Sequence, residues 1–468
     1  METEAGPLAG VRNGVCLEFL GIPYARAERF APPTPPPSWS GTRDATRYGP
    51  AAPQPDRAVA TFTHGPLPPT DEQCLYLNVY TPSLEGDCPV MVWLHGGGFA
   101  IGHAGASLYH GASLAAVADV VVVTVNYRLG SLGWLSHPSL AEGPDAPAGD
   151  WGLLDQIAAL RWVRENISAF GGDPARVSVA GQSAGALCAI DLLAAPAAHG
   201  LFARAILESP PLGDVIQAPE AAGRWAEALA SLAGGVFEPG LVRSLDAERI
   251  VALHEQLLEL PEYRGTRGGA LPTLDAGSLP DSPLASPGVA PEVDVLVGHN
   301  ADEGTFFFNA PWRPAPPPAR VPEIVAHLCP DEEPDDVLRR YGGDLVAIAT
   351  EAIVAGPAAR WARARVAGGG RVYRYRVDHP GAGPQLRATH TVEVPLLFGT
   401  WSDGGPGERL GGQGTGTAAV AQELVRAWGS FLHGHGPGWR PIAANDATVE
   451  AGVFGGRRAH HVESGPDA

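Results

Sequence analysis

Residues Arg176 to Ile190 read as a strand, a five-residue reversal and the start of a helix, and no other stretch limits the folds open to this chain as tightly. Arg176-Val177-Ser178-Val179-Ala180 alternates as a short buried strand, and Ala186-Leu187-Cys188-Ala189-Ile190 opens an apolar helix. Between them stands Gly181-Gln182-Ser183-Ala184-Gly185. A G-x-S-x-G turn in that setting suits a strained corner: glycines on both sides keep side chains out of the reversal, and the serine hydroxyl projects from the end of a sheet. The chain holds 60 glycines, so the pentapeptide alone carries little weight, and its place between a strand and a helix gives it meaning.

The flanking segments repeat the alternation of strand and helix. Leu75 to Tyr80 alternates as a strand, while Pro89 to Leu94 and Asp119 to Tyr127 are continuous apolar runs of the kind a sheet covered on both faces requires. Leu153, Leu154, Ile157, Leu160, Val163 and Ile167 recur at helical spacing, which predicts a helix over Gly152 to Phe170. Ala205 to Leu207, Val293 to Gly298 and Arg371 to Val377 read as further strands, and Ala418 to Leu432 as a closing helix. This pattern predicts an α/β fold, a mostly parallel central sheet with helices on both faces. Residues 1–468 show no dividing linker and read as one catalytic unit. Within it, 211–290 is less regular, with one helix expected over Glu220 to Ala233 and loops elsewhere, and is the candidate cap or lid.

The chemistry-bearing residues fall in a defined order. His95-Gly96-Gly97-Gly98 follows the strand ending at Leu94, and glycines there let backbone N–H groups converge on one point, as an oxyanion hole needs. His95 itself reads as a structural residue at the base of that loop, since a catalytic histidine comes late in the order Ser, acid, His. Asp302 and Glu303, adjacent at the end of a predicted strand, are both candidates for the acid. For the base, His327, His379, His390, His433, His435, His460 and His461 all qualify by order, and spacing does not separate them.

The formal net charge of −19 opposes a nucleic-acid or anionic-membrane partner through simple repulsion. All 32 basic residues are arginine. No N-terminal leader pattern and no run of membrane-spanning length is evident, so the expectation is a cytoplasmic protein. The five cysteines (Cys16, Cys74, Cys88, Cys188, Cys329) are scattered, with no C-x-x-C pair, and neither a disulfide framework nor a zinc site is expected.

Taken together, several motifs resemble the type-B carboxylesterase family, the para-nitrobenzyl esterase and cholinesterase branch of the α/β-hydrolases. Gly21-Ile22-Pro23-Tyr24-Ala25, Glu72-Gln73-Cys74-Leu75-Tyr76-Leu77-Asn78, Asn126-Tyr127-Arg128-Leu129-Gly130, Gly152-Leu153-Leu154-Asp155-Gln156 and Phe170-Gly171-Gly172-Asp173-Pro174 are similar to its signatures, in order. Asp302-Glu303-Gly304-Thr305 resembles its DEGT, and Thr389-His390-Thr391-Val392-Glu393-Val394-Pro395 its H-x-x-E-x-P. The resemblance implies Ser183 as nucleophile, Glu303 as acid, His390 as base, and Gly97, Gly98 and Ala184 as oxyanion donors. It also implies a structural ion pair between Glu72 and Arg128.

Two departures stand out. Gln182 occupies the position where the family commonly has glutamate, and Glu208-Ser209-Pro210 stands where it often has Q-S-G. The implied activity is hydrolysis of a small-molecule carboxylic ester through an acyl-enzyme, with no cofactor and no metal. Amide or carbamate cleavage by the same triad is the alternative, and a non-catalytic interaction protein a more distant one. Substrate preference and oligomeric state are not legible in the sequence.

Overall fold

Side chains alternate along each central strand, and the alternation sorts them into two cores. Val90, Val92 and Leu94 enter one buried cluster and Met91 and Trp93 the other; Val295 and Val297 likewise oppose Leu296. Such runs are apolar on both faces because both faces are covered. The computed structural model describes residues 1–143, 145–213, 215–263, 271–443 and 451–455.

In chain order the strands among these residues are β1 (Glu2–Thr3), β2 (Gly6–Ala9), β3 (Val11–Asn13), β4 (Cys16–Pro23), β5 (Arg43–Asp44), β6 (Tyr76–Thr81), β7 (Cys88–Leu94), β8 (Val121–Val125), β9 (Gly172–Gln182), β10 (Arg204–Glu208), β11 (Asp294–Asn300), β12 (Val372–Val377) and β13 (Ala451–Phe454). β1, β2 and β5 form a small sheet, and the other ten form one large sheet in the order β13-β12-β11-β10-β9-β7-β8-β6-β4-β3. The pairings from β13 across to β8 are parallel; those joining β8, β6, β4 and β3 are antiparallel. The sheet is therefore mostly parallel, as expected, and the antiparallel edge is built from the N-terminal segments.

Helices Trp151–Asn166, Ala184–Ala194 and Gly356–Ala367 cover one face; Ala112–Ala118, Glu393–Phe398 and Thr415–Leu432 cover the other. On Trp151–Asn166 the predicted stripe is the one that packs: Leu153, Ile157, Leu160 and Val163 are fully buried, each stabilising the fold by about 1.5–3 kcal/mol. The helix ends at Asn166, and a 3-10 turn, Ile167–Phe170, completes the expected segment.

The 211–290 segment is more helical than expected. Pro219–Leu232, Pro239–Ser244 and Ala247–Leu258 are helices, the first two opening on a proline whose missing N–H costs nothing at that position. Trp225, Leu229, Leu253 and Leu257 join Leu132, Leu135 and Trp151 in a separate apolar cluster.

Leu345–Ala367 is one continuous helix whose apolar composition meets the length and hydropathy of a membrane span, although no such run was expected. Alanine and valine raise its mean hydropathy to only 1.2, and 56% of the apolar window is buried inside the protein, with Val354, Ala358 and Trp361 in the core. All five cysteines are unpaired thiols.

Candidate active site

β9 ends at Gln182 and the helix Ala184–Ala194 begins one residue later, leaving Ser183 to make the whole reversal at φ 57° and ψ −122°. An L-residue adopts such a conformation only where its surroundings enforce it. The flanking glycines explain how: a Cβ at Gly181 would meet the Gly185 carbonyl at 2.4 Å, and one at Gly185 would meet the Leu94 carbonyl at 2.0 Å. The Ser183 N–H is tied to the Glu208 carbonyl at 2.8 Å, which anchors the corner to β10. Ser183 remains partly accessible while its neighbours are buried.

Asp302 and Glu303 separate cleanly. Glu303 is fully buried; its Oε1 accepts the Asn300 N–H at 2.7 Å, and its Oε2 stands 2.5 Å from Nδ1 of His390. Asp302 turns outward to an ion pair with Arg387 at 3.3 Å. His390 is itself buried, and the next residue, Thr391, has φ 80°. Among the other candidates, His379 binds the Gly411 carbonyl at 2.9 Å, His433 the Ala118 carbonyl at 3.0 Å, and His435 stacks on His433. His327 is exposed at the end of helix Val321–Leu328. His460 and His461 lie outside the described residues. Nε2 of His390 meets the Gln182 side-chain amide at 3.0 Å, and among the described residues no hydrogen bond joins it to the Ser183 hydroxyl.

The glycine loop after β7 lies against this corner: a Cβ at Gly96 would come within 3.3 Å of Ser183 Cβ. Gly97 and Gly98 have φ 123° and 62°, and their N–H groups, like that of Ala184 at the helix start, have no hydrogen-bond partner among the described residues. Three free donors beside a serine can receive an oxygen that gains charge. His95 has the structural role expected of it. It is fully buried, stacks on Tyr127 with ring centroids 4.5 Å apart, and uses Nδ1 on the Gly96 carbonyl at 2.9 Å; burial holds its pKa down at about 4, so it stays neutral.

Behind His390 sit two carboxyl groups that sequence reasoning had given no role. Glu393, one turn on, receives Ser209 Oγ at 3.3 Å and Asn300 Nδ2 at 2.5 Å, so the serine reaches this carboxyl although Pro210 replaces the glycine after it. Glu208 accepts the Trp428 indole N–H at 2.8 Å. Both are fully buried and neither forms an ion pair among the described residues, and desolvation followed by the neighbouring carboxylate raises the pKa of each. The Glu393 signal lay in the H-x-x-E spacing; that of Glu208 lay only in its departure from Q-S-G. The rings of Phe306 and Phe307 approach His390 to 5.1 and 5.4 Å, and Trp312 extends this wall from Phe306 to Phe62.

One expected contact is not formed. Arg128 does not pair with Glu72; it binds Asp155 in a buried bidentate pair, Nε to Oδ2 at 2.8 Å and Nη2 to Oδ1 at 2.7 Å, while Glu72 pairs with Arg29. Asp155 is fully buried and takes the buried guanidinium, whereas Glu72 is one-third exposed and is met by Arg29 nearer the surface. Among the described residues no group of three or more His, Cys, Asp or Glu side chains is arranged to hold a metal ion.

Comparison with known proteins places this geometry in a wider set. The sequence profile of the carboxylesterase family matches residues 1–316. The para-nitrobenzyl esterase of Bacillus subtilis (strain 168) is 36% identical over 408 residues, covering 85% of this chain and 82% of that protein. The fumonisin B1 esterase of Sphingopyxis macrogoltabida is 35% identical over 472 residues, 92% of this chain and 81% of its own. A solved structure of a thermophilic PNB esterase superposes with a TM-score of 0.85 at 34% identity, covering 97% of this chain and 95% of that one.

Proposed function

Since this chain belongs to the carboxylesterase family and is a carboxylic-ester hydrolase, we propose that it works through an acyl-enzyme formed on Ser183. Ser183 Oγ attacks the ester carbonyl carbon while its proton passes to Nε2 of His390. The new O–C bond converts the carbonyl oxygen to an oxyanion, received by the N–H groups of Gly97, Gly98 and Ala184. When the bond to the alcohol oxygen breaks, His390 delivers the proton to that oxygen and the alcohol leaves. Water then gives its proton to His390, attacks the acyl carbon and releases the acid, and Ser183 recovers its proton.

Glu303 has the orienting role. Its contact with Nδ1 fixes the tautomer, so that the lone pair lies on Nε2 toward the cleft, and its charge stabilises the imidazolium. The observation that carries this reading is the buried 2.5 Å Glu303–His390 contact set behind a strained, accessible serine.

Hydrolysis of para-nitrophenyl acetate and butyrate by the purified protein, with Ser183→Ala beside it, tests the reading. The expected result is turnover by the wild type and background rate for the variant; equal rates for the two proteins refute the assignment of the nucleophile. A matched anilide measured in parallel separates ester from amide preference.

A further inference from the structure

Gln182 holds the atom that the proposed reaction needs free. It is the last residue of β9 and is buried, and its Nε2 stands 3.0 Å from Nε2 of His390. A 2.5 Å contact between Nδ1 and a carboxylate requires a proton between them, so in the neutral imidazole Nδ1 is protonated and Nε2 carries the lone pair. Only a donor satisfies a lone pair. The amide NH₂ of Gln182 is a donor and its Oε1 is not, which fixes the orientation of the amide. Gly96 makes the space: a Cβ there would lie 2.7 Å from Oε1 of Gln182.

We propose, resting on the assignment of His390 as the base, that Gln182 is a positioning residue that keeps the resting imidazole neutral by donating to Nε2 and yields that nitrogen to the Ser183 hydroxyl as the ester seats. The identity of residue 182 then sets the pH range in which the enzyme works. A glutamate at this position would offer only acceptor oxygens and a negative charge, and would hold the imidazolium instead. Glutamine offers a donor and no charge, so the two residues give activity different acid limits.

Other charged or titratable groups stand around this ring. Glu303 lies at Nδ1 and Glu393 on the following helix; Glu208 at the end of β10 and Tyr375 on β12 interact with Glu393 rather than with the ring, and the Asp302–Arg387 ion pair lies outside them. All of these are common to the wild type and to variants at 182, so a difference between those proteins reports on position 182.

The test is the pH profile of kcat/KM for para-nitrophenyl acetate in wild type, Gln182→Glu and Gln182→Met, all three close in side-chain length. Gln182→Glu is expected to move the acid limb up by about 1–3 pH units. Gln182→Met, which loses the donor and gains no charge, is expected to move it up by less than about one unit, giving the order wild type, Met, Glu. Acid limbs coinciding to within about 0.3 unit overturn the proposal, whatever happens to the plateau, because a merely structural role lowers rates without moving the limb. A wild type that hydrolyses esters with coincident limbs overturns this inference alone. A wild type inert toward esters overturns it together with the catalytic reading.

Discussion

Replacing Gly97 or Gly98 by alanine separates the two glycines proposed as oxyanion donors, although they are neighbours of the same type. At Gly97 the added Cβ would lie 2.0 Å from the Ile101 carbonyl oxygen and 2.8 Å from its carbon, with φ at 123°. Neither neighbour is a side chain that can swing aside, and the turn that presents the Gly97 N–H is held by the Ala100 and Ile101 N–H groups on the Gly97 carbonyl, each at 3.2 Å. The backbone has to open. Strain of about 1–3 kcal/mol accompanies that φ, and a donor moved off its target typically lowers kcat by about 10²–10³. At Gly98 the φ is 62° and nothing lies within 4 Å of the new methyl, so the cost is that of one left-handed residue, about 1–2 kcal/mol, with both N–H groups still in place. The assay is kcat with saturating para-nitrophenyl acetate, the smallest acyl group, beside a thermal melt of each variant. Gly97→Ala should lose about 10²–10³ in kcat and Gly98→Ala less than about 10-fold. Equal losses, or a Gly97→Ala enzyme within about threefold of wild type, would refute the assignment of the loop as donor.

Glu303→Gln keeps the shape of the side chain proposed to orient His390 and removes its charge, and should lower kcat by about 10³–10⁴ in steady-state assays while the protein stays folded by circular dichroism. Arg128→Met leaves Asp155 as a buried, uncompensated carboxylate and should cost about 3–5 kcal/mol, read as a lower urea midpoint. Asp150, fully buried and accepting Thr273 N–H and Ser278 Oγ at 2.8 Å each, is lifted by burial to about 7. Because its folded value lies above the unfolded one, its stabilising contribution is complete below about pH 4 and is lost as pH rises to 7. Wild type should therefore weaken relative to Asp150→Asn by about 1 kcal/mol per pH unit between pH 4 and 7, with a constant gap above about pH 8; a gap independent of pH in urea titrations refutes this.

The central strands were legible because one requirement, burial on both faces, writes itself into consecutive residues: Val121–Val125 falls inside the predicted run, and Cys88–Leu94 extends the predicted Pro89 to Leu94 by one residue. The Ser183 corner was legible for a related reason, since close backbone approach admits only glycine at 181 and 185. The proposed base was not legible from spacing. His379 and His390 both follow β12, and what distinguishes them is contact with Glu303, 87 residues earlier in the chain. Family motifs named the two residues that the fold brings into contact. They named the wrong partner for Arg128, because the depth of Asp155 is a property of the packed helix and not of the local sequence. The helix Pro239–Ser244 escaped because six residues carry little periodic signal, whereas Ala247–Leu258 does carry Ile250, Leu253 and Leu257 at helical spacing, a signal that the reading of this segment as loop passed over. The hold of Gln182 on His390 was visible in the sequence only as a missing charge.

The central claim is that Ser183 is the nucleophile, and covalent trapping tests it most directly. The protein is treated with a fluorophosphonate until ester hydrolysis stops, digested with trypsin and mapped by mass spectrometry. The account predicts one phosphonyl group per chain on the peptide from Val177 to Arg204, at Ser183, and no such adduct on Ser183→Ala. A label on another residue, or inactivation of the Ser183→Ala protein at the wild-type rate, would contradict it.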